Sequence, residues 1–244
     1  MIVTIRDRRR RLEHDLGNAI SRGEFRLVYQ PQKNIRIDEV VGFEALLRWS
    51  HGSLGEVSAA EFIPIAEVTG AIRQIGEWVL RSACRQAATW TKPLTVAVNV
   101  SGVQILNANF AHAVHEVLVE TGLEPARLEL EITETAFVRD RHSALATLRR
   151  IKMLGVRIAM DDFGVGYSSL SNLLAFPFDK IKIDASFIKS VNSNDKAAAI
   201  VRLILELGQT PELPVLVDEI EHFDSLGIPR ESPRVCGMQR ITSE

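Results

Sequence analysis

Residues 127–164 read RLELEITETAFVRDRHSALATLRRIKMLGVRIAMDDFG. The run RLELEIT is strand-like and ends on acids at Glu131 and Glu134. A helical pattern near 141–154 follows and closes at Gly155, a good C-terminal stop. VRIAMD is strand-like again and runs into paired acids, Asp161 and Asp162, and then a glycine-rich turn. Strand, helix, strand at this spacing is a parallel β/α unit.

Outward from this stretch the unit repeats. Upstream, helical patterns occupy 60–69, 73–90 and 108–121, around the strand LTVAVNV (94–100). Downstream, a short helix precedes DKIKID (179–184), AAAIVRLILELG (197–208) is helical, and LPVLVD is the last clear strand. Two extended runs, FRLVYQPQ (25–32) and VVGFEALLRW (40–49), come first, separated by an Asp-containing turn. A charged amphipathic helix over 6–23 precedes them. Its run Arg8 to Arg11 reads as a solvated helix face rather than a nucleic-acid patch, and it can also continue a helix from an upstream signalling module. The expected organisation is a helix at 1–23, a barrel at 24–222 and a divergent segment at 223–244. In that last segment Pro229 and Pro233 interrupt the sequence and no period survives. The fold class expected is α/β, a modified TIM-type (β/α)8 barrel whose C-terminal unit is incomplete.

Composition bounds the function. The 244 residues match one β/α barrel, and 46% apolar with 25% charged residues is ordinary for a soluble globular protein. A formal net charge of -2 argues against a surface that coats nucleic-acid polymers. No apolar run is long enough to span a bilayer and no secretory signal opens the chain. Cys84 and Cys236 give neither metal-ligand spacing nor a disulfide framework, so a reducing cytoplasm is the expected location.

Six carboxylates fall where strand-like runs end or turn: Glu44, Glu131, Asp161, Asp162, Asp184 and Asp218. In a β/α barrel those ends form the catalytic face. Converging oxygen ligands suit Mg²⁺ or Mn²⁺ better than zinc or copper. Taken singly, each residue has two readings. Glu44 is a metal ligand with Arg48 beyond it to hold a phosphate, or a surface acid on an edge strand. Asn99 offers a neutral oxygen ligand, or caps a turn. Glu134 steadies a loop or caps the next helix. Asp161 and Asp162 stand at a strand-to-loop break where both can turn inward, to serve two metals or to bind one and orient a water. Lys182, inside an apolar strand, reaches a polar mouth to hold a water or phosphate oxygen, or pairs with an acid to tie strands together.

Together these residues resemble the EAL family of bacterial cyclic di-GMP phosphodiesterases, whose tripeptide is seen here as Glu44-Ala45-Leu46. The resemblance spans Arg11 to Glu221. It includes YQPQ at 29–32, EALLRW at 44–49, EFIPIAE at 61–67, NVS at 99–101, EITE at 131–134, DDFGVGYSSL at 161–170 and DKIKID at 179–184. It implies a barrel whose first strand runs antiparallel to the others, and hydrolysis of cyclic di-GMP to linear pGpG with Mg²⁺ or Mn²⁺, as two ions. The implied metal ligands are Glu44, Asn99, Glu131, Asp161 and Asp162. Lys182 would position the attacking water, and Glu134 would anchor the loop after DDFG, a loop that also serves a homodimer. Gln30, Leu46 and Arg48 would contact the dinucleotide.

Four departures from the family pattern stand out. Asp218 replaces a glutamate at the catalytic centre, which retracts the carboxylate by about 1.5 Å, one C–C bond. Glu219 replaces a glycine, while Glu221 matches the family's second glutamate. Val165 replaces a threonine. Gln239 stands at the glutamine of a final motif whose glycine and aromatic are Arg240 and Ile241. These changes imply weakened hydrolysis, and keep open the alternative of a non-hydrolysing cyclic di-GMP receptor or interaction module.

Overall fold

Two antiparallel strands open the barrel, β1 (Phe25–Asn34) and β2 (Glu39–His51), in register from Phe25 opposite Trp49 to Gln30 opposite Glu44. The computed structural model describes residues 5–34, 39–163, 176–183, 215–218 and 235–238. A short β3 (Gly55–Val57) folds back on β2. Then come β4 (Thr95–Val100), β5 (Leu128–Thr133), β6 (Arg157–Phe163), β7 (Lys180–Ile183), β8 (Val215–Asp218) and β9 (Val235–Met238). These six pair in parallel from neighbour to neighbour, β4 pairs in parallel with β2, and β9 pairs antiparallel with β1. Because β1 is hydrogen-bonded to both β2 and β9, the strands return on themselves. Closure leaves no unpaired edge in the ring, and β3 hangs outside it. The first strand is antiparallel to both neighbours, as the family resemblance implied.

The parallel strands alternate, with an apolar face under the helices and an inner face that carries small and polar residues. Val96, Val98, Leu130, Ile132, Ile158 and Met160 are all buried. The helices are α1 (Ile5–Leu16), α2 (Ala59–Thr69), α3 (Ile72–Ala88), the single turn α4 (Gly102–Ile105), α5 (Phe110–Thr121) and α6 (Arg141–Met153). In α3 the buried residues Ile72, Ile75, Gly76, Val79, Leu80 and Ala83 follow the i, i+3, i+4 stripe of a helix with one covered face. Gly76 leaves room for the Gln104 side chain: a Cβ there would stand 2.0 Å from its amide nitrogen. Gln104 in turn closes a capping box with Ser101 at the start of α4, just past β4.

Several sequence expectations change. The N-terminal helix stops at Leu16 rather than Gly23. Gly17 is costly inside a helix, and the next hydrogen bonds tighten to three-residue turns, Asn18 N–H to Asp15 O at 3.0 Å and Ala19 N–H to Leu16 O at 3.3 Å. The arginine run is a solvated face, as expected, with Arg9, Arg10 and Arg11 exposed, and Arg8 at its edge also grips Glu61 on α2 with two bonds of 2.5 and 2.9 Å. The C-terminal segment does supply a strand, β9, where none was clear from the sequence. Its four residues lack a period of their own, but pairing on both sides with β8 and β1 decides strand formation more than local propensity does. The short β3 and α4 carried no recognisable pattern. The helix expected over 197–208, the one before DKIKID, the turn after Phe163 and any helix that would follow β9 lie outside the described residues. Among the described residues, no helix is long and apolar enough to cross a membrane.

Candidate active site

The barrel interior at the C-terminal ends of the parallel strands holds a charged cluster. Lys182 Nζ donates to Glu131 Oε2 at 2.7 Å, Glu44 Oε2 at 3.1 Å and Asp161 Oδ2 at 3.2 Å. Asn99 Nδ2 donates to the other Glu44 oxygen at 2.7 Å. Strand register produces this convergence. Asn99 lies opposite Glu131 in the β4–β5 pairing, and Glu44 of β2 stands at the neighbouring level opposite Ala97. All four charged groups are buried, Glu131 and Lys182 each at 1% exposure.

A bulge delivers the fourth strand's acid. Between Met160 and Phe163 the β6–β7 register slips, so that β6 spends Asp161 and Asp162 against one residue of β7, Lys182. Bulges bend a strand and re-aim its side chains. Asp162 absorbs the turn with φ 55°, a left-handed angle that Asp tolerates better than most residues. Its N–H donates to Asp161 Oδ1 at 2.9 Å. The two acids therefore diverge: Asp161 is buried beside Lys182 and Asp162 is exposed.

Three carboxylates share one ammonium, an excess of two negative charges if all are ionised. Burial pushes the Glu131 carboxyl well above the ordinary carboxylate range, and the charges of Glu44 and Asp161 push it further while Lys182 opposes. In donor type and charge deficit the cluster fits a hard divalent cation. Among the described residues no three acids, histidines or cysteines are arranged as a finished metal cage, since Lys182 stands at the centre. The fit is one of chemistry, with side chains still to rearrange.

Beside the cluster opens a cavity of about 300 Å³, lined by Leu46, Arg48, Asn99 and Glu131 together with Ile63 and Glu67 of α2. Arg48, half-buried, donates to the Leu47 carbonyl at 3.1 Å. Gln30 faces Glu44 across the β1–β2 register but is not among the cavity's lining. Glu134 begins a single 3-10 turn, Glu134–Phe137, at the end of β5. Asp218 is the last residue of β8, opposite Met238. Asp184, Val165, Glu219, Glu221, Gln239 and the loop that Glu134 was expected to anchor lie outside the described residues.

Sequence reading missed a second polar layer. Gln32, fully buried, donates to Glu131 Oε1 at 3.4 Å and accepts from Lys180 Nζ at 3.2 Å. Lys180 also donates to Glu129 Oε1 at 2.6 Å. The signal was present: Glu129 and Lys180 each lie two residues before a cluster member, and a strand's period of two puts them on the same inward face.

A family model described as EAL domain matches residues 13–228. The chain is 53% identical, over 89% of its length, to an uncharacterized signaling protein of Caulobacter vibrioides, of which it covers 27%. It is 41% identical, over 86% of its length, to the bifunctional diguanylate cyclase/cyclic di-GMP phosphodiesterase MucR of Pseudomonas aeruginosa, of which it covers 31%. It thus spans about a quarter to a third of the length of these curated relatives. A solved structure of the PaMucR phosphodiesterase in complex with c-di-GMP matches with a TM-score of 0.85 at 38% identity, covering 93% of this chain and 94% of that one.

Proposed function

The chain belongs to the EAL domain family, and on that premise we propose that it hydrolyses cyclic di-GMP to linear pGpG at the mouth of the barrel. The observation that carries the reading is the buried excess of carboxylate around Lys182, set beside a cavity with Arg48 on its wall. A phosphodiester anion is repelled by such a cluster unless cations intervene. Glu44, Asn99, Glu131, Asp161 and Asp162 would hold Mg²⁺ or Mn²⁺, as two ions. Bound there, the metal supplies Lewis acidity toward a phosphoryl oxygen and lowers the pKa of a bound water.

The chain's own groups do the rest. Arg48 holds a phosphate oxygen and Gln30 a guanine edge, with Leu46 packing beneath. Lys182 orients the attacking water and offsets charge as the new P–O bond forms. One P–O bond to a ribose oxygen breaks, and that oxygen takes a proton. Glu134 and Glu221 support the loops around the centre, and Asp218 takes the place of a longer catalytic glutamate. We place the protein in the cytoplasm as a homodimer under an upstream sensor module, in keeping with relatives longer than this chain.

A second reading, a receptor that binds cyclic di-GMP without cleaving it, draws on the short Asp218 and on Glu219 where the family has glycine. One experiment separates the two: hydrolysis of cyclic di-GMP in Mn²⁺ beside equilibrium binding in Ca²⁺. Turnover selects the enzyme, binding without turnover the receptor, and neither result leaves only an interaction module.

A further inference from the structure

We infer that Glu129, Lys180 and Gln32 form a positioning relay beneath the carboxylate cluster, which restrains the Glu131 carboxylate and so supports its binding of a divalent cation. The inference rests on the proposed metal-dependent reading of the site.

The relay has a direction. Glu129, 1% exposed, holds the Lys180 ammonium at 2.6 Å. Lys180 has only donors, so the amide oxygen of Gln32 is the end that must face it, at 3.2 Å. That fixes which way the buried amide points. Its NH₂ is then left to donate to Glu131 Oε1, at 3.4 Å, while Lys182 holds Oε2 at 2.7 Å. Both oxygens of Glu131 are thereby engaged from below and from the side. A carboxylate held at two points cannot rotate freely toward or away from an ion.

The backbone supports the same reading. The β1–β2 register slips between Gln32 and Lys33, and a bulge re-aims the side chain next to it. Gln32 sits opposite Gly42 of β2 and Met238 of β9, at the seam where the ring closes. An amide buried at 0% exposure is expensive unless both its ends are satisfied, and among the described residues Lys180 and Glu131 satisfy them. Hydrogen-bond partners behind metal ligands typically contribute about 10- to 100-fold in metal affinity or activity.

The test uses the full chain and reads Mn²⁺ binding by calorimetry, without substrate, beside thermal stability in chelator and turnover at varied Mn²⁺. Gln32→Met keeps the length and removes both hydrogen bonds. Mn²⁺ affinity should fall by at least about tenfold, and turnover should recover toward the parent value as Mn²⁺ is raised. Lys180→Arg, which keeps a donor-only cation, should retain most of the affinity that Lys180→Met loses. Leu148→Val on α6, a buried site remote from the cluster, controls for loss of stability alone. If Gln32→Met only lowers the melting temperature, as Leu148→Val does, and leaves Mn²⁺ affinity within about twofold, the relay is overturned. If the Gln32 variant does not fold, the Lys180→Arg and Lys180→Met pair decides, equal affinities overturning the relay. A parent chain that binds no Mn²⁺ refutes the metal reading itself, a result distinct from any difference between variants.

Discussion

Lys182→Met in the metal-free protein isolates the electrostatics of the cluster. The ammonium makes contacts of 2.7, 3.1 and 3.2 Å to three buried carboxylates. At an effective dielectric of about 20 each is worth about 5–6 kcal/mol of gross attraction. Desolvation and the mutual repulsion of the acids offset most of it. Measured losses on removing one partner of a buried pair are about 3–5 kcal/mol. For a chain of this size that is a drop of about 6–20 °C in melting temperature. The loss is bounded because the orphaned acids can take up protons, so it should shrink as pH falls toward the ordinary carboxylate range. The same sign holds for Glu131 in the parent. Its carboxyl is raised, so the native state binds more protons than the unfolded one above the ordinary value of 4.5, and the metal-free protein loses stability as pH climbs through that window. Mn²⁺ at about 100 times its dissociation constant should return about 2.7 kcal/mol. The rescued variant should bind cyclic di-GMP and fail to hydrolyse it. Calorimetric melts at pH 5 and 8, with chelator or Mn²⁺, test this. A variant within 2 °C of the parent in chelator at pH 8, on the order of the shift from a 1 kcal/mol change, would falsify the reasoning.

Three further outcomes are expected. Arg48→Ala should weaken cyclic di-GMP binding in Ca²⁺ by about 1.5–3 kcal/mol, or about 10- to 150-fold, at fixed salt; unchanged affinity removes Arg48 from the phosphate. Asp15, held down to about 2 chiefly by its hydrogen bond with His14 and also by those from Arg22 and His51, ties α1 to β2. Asp15→Asn should lower the urea midpoint at pH 6, and the difference should close as pH falls from the ordinary 3.8 toward 2, because a depressed carboxyl gives up its stabilisation on protonation; a difference independent of pH contradicts the ion-pair account. Asp218→Glu with Glu219→Gly should raise turnover by at least about tenfold, or about 1.4 kcal/mol of barrier, and a double variant no faster than a parent that binds tightly favours the receptor.

The fold was legible where amphipathic helices alternate with apolar strands, because period and burial there report the same surface. α3, β5 and β6 fall within a residue or two of where the sequence placed them. β9 was not legible, since four residues held by partners on both sides carry no periodic signal. For the site, Glu44, Glu131 and Asp161 could be named as acids where strand-like runs end or turn, and Lys182 as a cation inside an apolar strand, and the structure brings them together. The unequal fates of Asp161 and Asp162 could not be read, because a bulge is a property of two paired strands. Gln32 was invisible for a related reason: within YQPQ it looks like one more polar residue on an extended run, and only barrel closure puts its amide against Glu131 and Lys180.

The two polar layers differ in what they need. The lower one pairs Glu129 with Lys180, one charge against one, and Gln32 uses both ends of its amide. It is complete with protein atoms alone. The upper layer sets Glu44, Glu131 and Asp161 against Lys182 and, with all three acids ionised, is short by two positive charges. A barrel interior is ordinarily filled with branched apolar side chains, so neither layer serves stability best, and the upper one opposes it. On the proposed metal-dependent reading, an unbalanced layer resting on a balanced one would let the barrel fold before a cation binds. It also confines the electrostatic deficit to the mouth, next to the cavity where a phosphodiester would lie. Folding and loading would thereby be separate events, and the charge that opposes folding of the barrel is the charge that would draw a cation in.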